Sequence, residues 1–129
     1  MNSIKILICG DRNWDNIAKI REILTKINLK IKIAQIIEGE CRGADTFGKI
    51  IAEELHIPIK KFPAQWAIHK RKAGIIRNYL MLKENPDLVL AFHNNIKKSS
   101  GTRHMVGIAK SKGIKTKIIT ENDRINNEN

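Results

Sequence analysis

Short apolar runs that alternate with amphipathic helical stretches constrain this chain more than any other feature. Each apolar run is five or six residues long and ends near a glycine, a proline or a polar cluster, which is typical of buried strands. The predicted strands span residues 4–9, 33–38, 58–62, 87–92 and 115–120. The predicted helices span residues 15–27, 43–55, 73–82 and 102–112, with Gly113 as a C-terminal cap of the last one. Residues 63–72 fit neither pattern, and residues 94–100 are predicted to be a polar loop.

This β-α alternation predicts a single Rossmann-like α/β domain. Its sheet is expected to be five-stranded and mostly parallel, with helices on both faces. The domain is predicted to span residues 1–120, followed by a polar C-terminal tail at 121–129. Because right-handed crossovers place every strand-to-helix loop at one sheet edge, a ligand is expected there.

Several classes of protein are excluded on sequence grounds. No apolar run approaches the ~18–20 residues of a membrane span, and the start of the chain lacks a signal-peptide pattern. Cys9 and Cys41 show no metal-binding spacing, so we expect reduced thiols, no metal site, no cofactor and a cytoplasmic location.

The net charge of +11 predicts an anionic partner. Lysines are scattered along the chain, whereas arginines concentrate near the predicted loops. Arginine also suits bidentate phosphate contacts. Arg12, Arg42, Arg71 and Arg103 are predicted in or beside loops, and Arg77 early in a helix.

Three glycine-containing loops follow predicted strands and suit anion binding. They are residues 10–14, 39–43 and 99–102. Ser100, Gly101 and Thr102 form the best phosphate turn, although helix capping explains them equally well in isolation. The chain contains neither GxGxxG nor GxxxxGK[ST], so a dinucleotide fingerprint and a P-loop are not indicated.

Several separated motifs, running in order from Ile4 to Ile119, carry more information together than any one alone. They are Gly10-Asp11-Arg12 with Trp14 and Asp15, residues 38–45, residues 63–66, Ala73-Gly74 with Arg77-Asn78 and Met81, residues 87–92, and Gly101-Thr102 with Met105-Val106. This series resembles the YspA/cpYpsA-related branch of the SLOG superfamily, whose relatives include LOG-type phosphoribohydrolases and DprA. The resemblance implies a Rossmann-like fold and a nucleotide-derived ligand.

One position departs from the LOG-type pattern, in which a glutamate three residues after the Gly-Thr pair is catalytic. This chain has Met105 there, which can neither transfer a proton nor stabilise an oxocarbenium ion. The resemblance therefore favours binding over hydrolysis by those residues.

Other carboxylates could replace that glutamate. Glu38, Glu40 and Asp45 are the candidate catalytic residues, as general bases or as ligands of ribose hydroxyls. Helix capping or an ion pair with Arg42 is the alternative for Glu38 and Asp45, and an exposed loop charge for Glu40.

The predicted ligand site combines these loops with both tryptophans. Trp14 and Trp66 either stack on a base or pack in the core, and His93 and His104 are more typical of surface or packed residues. The predicted binding residues are Gly10, Asp11, Arg12, Trp14, Gly39, Arg42, Gly43, Asp45, Trp66, Arg77, Asn78, Ser100, Gly101 and Thr102.

The leading functional prediction is a protein that senses or sequesters a phosphate-bearing nucleotide derivative, such as an ADP-ribose or cyclic-nucleotide derivative. A nucleotide N-glycosidic or phosphoribosyl hydrolase is the alternative. Non-specific nucleic-acid binding is possible but not favoured, because the lysines are diffuse. SLOG relatives commonly pair through helices, so a homo-oligomer is also expected.

Overall fold

The computed structural model describes residues 2–123 of the chain. The strands are β1 (Ser3–Gly10), β2 (Lys32–Glu38), β3 (Ile59–Lys61), β4 (Leu88–Phe92) and β5 (Lys115–Ile119). The α-helices are α1 (Ile17–Lys30), α2 (Ala44–Glu54), α3 (Trp66–His69), α4 (Ala73–Leu82) and α5 (Ser100–Ser111). Two 3₁₀ turns span Lys70–Lys72 and Ile96–Lys98.

These strands form one parallel sheet with the order β3-β2-β1-β4-β5. The strand order reverses between β1 and β4, because the chain moves outward from β1 to β3 and then returns to the other side of β1. At such a point the loops after the two central strands diverge and leave a crevice. The predicted α/β, Rossmann-like fold is confirmed, and every pair of neighbouring strands is parallel.

Alternating side chains divide the core into two layers, one on each face of the sheet. Ile6 and Ile8 of β1 pack in the cluster that contains α1 and α2. Leu7 and Cys9 point to the opposite face, where α4 and α5 pack. All five residues of β4 are buried, as expected for a strand covered on both faces.

Two segments differ from the predicted elements. Residues 63–72, which the sequence left unassigned, contain α3 and a 3₁₀ turn, both too short to show helical periodicity. Helix α5 begins at Ser100 rather than at Thr102, because the Ser99 side chain caps it by accepting a hydrogen bond from the Thr102 N–H. Arg103 lies in the first turn of this helix, beside the preceding loop, as predicted. Gly113 follows this helix with φ +76°, as its predicted capping role requires.

The predicted division into a domain of residues 1–120 and a tail of residues 121–129 stays a prediction, because residues 124–129 lie outside the described residues. Along residues 2–123, none of the helices is long and apolar enough to cross a membrane.

Candidate functional site

A cavity of about 960 Å³ opens at the carboxyl edge of the sheet, at the point where strand order reverses. Its walls come from the end of β1, the loop after β2, helices α3 and α4, and one side of α5 along its whole length. This volume lies within the range of sites that hold nucleotide-sized ligands.

The cavity brings together more than half of the residues predicted to bind the ligand. Those that line it are Gly10, Arg12, Asp45, Trp66, Arg77, Asn78, Ser100, Gly101 and Thr102. Those that do not are Asp11, Trp14, Gly39, Arg42 and Gly43, together with the catalytic candidates Glu38 and Glu40.

The start of α5 forms one end of the cavity. Ser99 satisfies the Thr102 N–H at 3.1 Å, which leaves the N–H groups of Ser100 and Gly101 without an acceptor within the helix. A Cβ atom at Gly101 would meet no atom within 4 Å, so the space in front of this backbone is open. Free donors at the positive end of a helix dipole, with room for a ligand, make a suitable anion site.

Asp45 holds the loop after β2 in place. Its Oδ2 accepts hydrogen bonds from the Gly39 N–H at 3.0 Å and the Cys41 N–H at 3.3 Å. Burial raises the pKa of this carboxyl to about 6, against the lowering effect of those two bonds and of Arg77. Asp45 therefore anchors a loop, and the ion pair with Arg42 considered from the sequence does not form.

Arg77 spans the distance from α4 to that same loop. Its Nη1 donates to the Gly39 carbonyl at 2.8 Å and lies 3.7 Å from Cys41 Sγ. A Cβ at Gly39 would lie 2.6 Å from Nη1, so a residue without a side chain lets the guanidinium approach. Gly39 therefore shapes the site through Arg77 although it does not line the cavity.

Three more arginines reach the cavity with exposed side chains. Arg12 comes from the loop after β1, Arg71 from the turn before α4, and Arg103 from the first turn of α5. Together with Arg77 they give the cavity a positive field that favours phosphate. Arg42 is exposed and lies outside the lining.

Trp14 packs in the core instead of lining the cavity. It is 3% exposed, its ring lies 5.6 Å from that of Phe92, and its Nε1–H donates to the Asn16 carbonyl. Of the two roles considered for it, packing is the one that this position supports. Trp66, in contrast, is 52% exposed and lines the cavity.

Close packing explains the glycines of the first two loops. At Gly43, with φ +79°, a Cβ would lie 2.3 Å from the Asp11 carbonyl oxygen, so the loops after β1 and β2 could not touch. At Gly10 a Cβ would lie 2.3 Å from the Phe92 carbonyl oxygen. Asp11 belongs to this packed junction, where its Oδ1 accepts from the Asn13 N–H.

The carboxylates of Glu38 and Glu40 also lie outside the cavity lining. Glu38 is fully buried and accepts a hydrogen bond from the Glu40 N–H at 2.6 Å, while its Oε2 has no partner among the described residues. Glu40 pairs with Lys49 of α2 at 3.2 Å. Neither carboxylate faces the space in which a ligand would be hydrolysed.

Several lining residues were not part of the predicted site. Some of these residues lie on α5 at helical spacing from Gly101. Once Gly101 was placed in the site, this periodicity could have predicted them. The others come from different elements and carry no such signal. These additional residues are Cys9, Cys41, Arg71, Gly74, Ile75, Met81, Ser99, Arg103, His104, Met105, Gly107, Ile108 and Ser111. Within residues 2–123, no group of three or more His, Cys, Asp or Glu side chains could hold a metal ion.

Comparison with known proteins assigns the chain to a family. The sequence profile of the YspA, cpYpsA-related SLOG family, named YAcAr, matches residues 4–69, half of the chain. The chain belongs to this SLOG family. Family membership indicates binding or processing of a nucleotide-related ligand. The matched region contains the Gly10 and Gly39 loops and α3.

Two individual proteins are similar to this SLOG chain. The Gene 61 protein of Mycobacterium phage D29 is 29% identical over 116 residues, which cover 85% of this chain and 91% of the phage protein. The structure of phosphoribosylglycinamide formyltransferase (purN) in complex with CHES from Coxiella burnetii is 17% identical, with a TM-score of 0.40. That likeness covers 69% of this chain and only 39% of the formyltransferase, and it is too distant to bear on function.

Proposed function

We propose that this SLOG protein binds a phosphate-bearing, nucleotide-derived small molecule, such as an ADP-ribose or cyclic-nucleotide derivative, and acts by sensing or sequestering it. The main support for the proposal is the structure at the start of α5. Two free N–H groups and the open space at Gly101 face a cavity reached by four arginines. A phosphate there accepts hydrogen bonds from the backbone and neutralises the positive end of the helix.

The rest of the cavity supports a ligand larger than phosphate alone. Trp66 offers an exposed ring on the α3 side, and base–aromatic stacking stabilises a bound nucleobase. Arg12 and Arg71 reach the same cavity and suit a second phosphate. The ligand therefore carries a base at Trp66 and one or two phosphates toward α5.

Binding is favoured over turnover by the positions of the acidic residues. Met105 is 1% exposed and packs in the core where LOG-type relatives have a glutamate. Hydrolysis would need a carboxylate that reaches the ligand. Glu38 and Glu40 do not line the cavity, and Asp45, which does, is only 6% exposed and serves to anchor the loop after β2.

Calorimetric titration of the whole chain with ADP-ribose, cyclic AMP and AMP tests the proposal, with adenosine as a phosphate-free control. We expect at least one nucleotide to bind and adenosine to bind much more weakly. Chromatography of the incubated nucleotides measures turnover in the same samples, and intact nucleotide is expected.

Two alanine variants on α5 test the assigned phosphate site. A Cβ at Gly101 would meet no atom within 4 Å outside its own helix, and Lys110 is exposed and lies outside the cavity lining, so both variants should fold. Gly101→Ala puts a methyl group where the phosphate approaches and should weaken binding about tenfold or more, whereas Lys110→Ala serves as the control. Equal affinities of both variants and the native chain would contradict this site.

Two further properties belong to the proposal. We place the protein in the cytoplasm, which the free thiols of Cys9 and Cys41 support. We also propose self-association through α3 and α4, whose apolar side chains Ile68, Ile75, Tyr79 and Leu80 are exposed.

A further inference from the structure

A chain of hydrogen-bonded side chains connects α4 to α5 along the cavity. Arg77 Nε donates to Asn78 Oδ1 at 3.2 Å. Asn78 Nδ2 lies 3.1 Å from His104 Nδ1 and donates to the Gly101 carbonyl at 3.3 Å. Asn78 is 4% exposed, so its amide is held inside the protein by these contacts.

The donors in this chain fix the protonation of the imidazole. A guanidinium nitrogen can only donate, so the atom of Asn78 that faces Arg77 is its oxygen. The amide nitrogen, which also can only donate, then faces His104, and Nδ1 must accept. The neutral imidazole therefore carries its proton on Nε2.

The Nε2–H group of His104 is available as a hydrogen-bond donor beside the proposed phosphate site. It lies one turn after Gly101 on α5 and lines the cavity. The Tyr79 ring packs against it edge-on, with 5.4 Å between the ring centroids, which restricts the imidazole further. Among residues 2–123, no hydrogen-bond partner occupies Nε2.

We propose that His104 Nε2–H donates a hydrogen bond to a phosphate oxygen of the bound nucleotide, and that Asn78 is the positioning residue that holds this tautomer. The inference rests on the proposed nucleotide binding and adds a residue to that site. It also gives Asn78 a role different from direct ligand contact.

Nitrogen NMR of the whole chain labelled with ¹⁵N-histidine, titrated with ADP-ribose, tests the tautomer and the contact together. In the free protein at neutral pH, His104 should show a protonated Nε2 and an unprotonated Nδ1. ADP-ribose should shift the Nε2 resonance. The near-isosteric Asn78→Asp replaces the donor with an acceptor and should move the proton to Nδ1, a change that a merely structural role would not produce.

Affinity for ADP-ribose separates the hydrogen bond from packing. His104→Gln keeps an N–H near the position of Nε2 and should bind within about threefold of the native chain. His104→Leu keeps the volume but removes the donor and should weaken binding about tenfold or more.

Three results would overturn this role for His104. They are a protonated Nδ1 in the native chain, an Nε2 resonance that ADP-ribose leaves unmoved, or native affinity in a folded His104→Leu variant. If the native chain binds ADP-ribose and any of these occurs, only the role of His104 fails. If the native chain binds none of the nucleotides, the proposed function fails and this inference fails with it.

Discussion

Glu38 illustrates how a single buried group changes the energetics of this fold. It is the last residue of β2, and its side chain is fully removed from solvent. Burial raises its pKa from the ordinary 4.5 to about 8, so the folded protein keeps a proton at neutral pH that the unfolded chain releases. This contribution to stability is complete below about pH 4.5 and is lost as pH rises through about 8.

The variant Glu38→Gln removes this titration while keeping the shape of the side chain. The native chain loses stability as pH rises from 5 to 8, and the variant does not. Over this range the free energy of unfolding of Glu38→Gln should therefore rise by at least about 1 kcal/mol relative to that of the native chain. Urea unfolding at several pH values measures the difference. Glu22→Gln, which removes an exposed carboxylate on α1, is the control and should change little with pH. Parallel stability curves for Glu38→Gln and the native chain would contradict the buried, protonated state.

A position in the cavity was predictable for Gly101, because it lies at a helix start that suits phosphate, and for Arg77, because of its place in the Arg77-Asn78 and Met81 motif of the resemblance. The positions of Trp14 and Glu38 outside the cavity were not predictable. A tryptophan beside a loop glycine and a glutamate at a strand end look functional in sequence. Only the tertiary structure buries Glu38 completely, packs Trp14 against Phe92 and leaves both outside the cavity lining.

At the scale of elements, α3 is the addition that the sequence did not reveal. Four residues cannot display a helical repeat, and the packing of this helix on α4 determines its position. Trp66 and Ile68 lie two residues apart on α3 and are both exposed, but only Trp66 lines the cavity.

Alanine substitution at these two positions separates ligand contact from stability. Trp66→Ala should weaken nucleotide binding about tenfold through loss of stacking, and Ile68→Ala should leave binding unchanged. Measured at a chain concentration too low for the proposed dimer, both variants should keep the native free energy of unfolding within about 0.5 kcal/mol, because both side chains are exposed in the single chain. Calorimetric titration and urea unfolding measure the two effects. Equal affinities for the two variants would remove Trp66 from the site.

At the scale of the whole molecule, the net charge of +11 attracts polyanions regardless of the cavity. Exposed Lys97 and Lys98 lie near the start of α5 and add to this field.

Because of this charge, non-specific binding to DNA should occur at low salt and weaken about 100-fold or more between 50 and 200 mM salt. Binding of AMP, which has fewer charges, should weaken only a few-fold. Fluorescence anisotropy of labelled DNA and calorimetry of AMP measure how each affinity depends on salt concentration. A salt-resistant, sequence-specific DNA complex would instead favour a nucleic-acid function.

Self-association is also a property of the whole molecule. Burial of the apolar side chains of α3 and α4 between two copies would stabilise a dimer. Light scattering of the native chain should give twice the mass of one chain. Leu80→Lys, which changes an exposed side chain of α4 outside the cavity lining, should give the mass of a monomer. A monomeric native chain at high concentration would refute the proposed dimer.

The sequence by itself determined the order of strands and helices, the parallel sheet and the sheet edge at which a ligand site lies. These follow from local hydrophobic periodicity and from the handedness of crossovers, which need no knowledge of distant contacts. Only the tertiary structure decided which side chains share the cavity. Arg77 meets Gly39 across 38 positions of sequence, and Asn78 meets His104 across 26. Such contacts depend on how α4 and α5 pack over the sheet, because long-range packing determines where each side chain points.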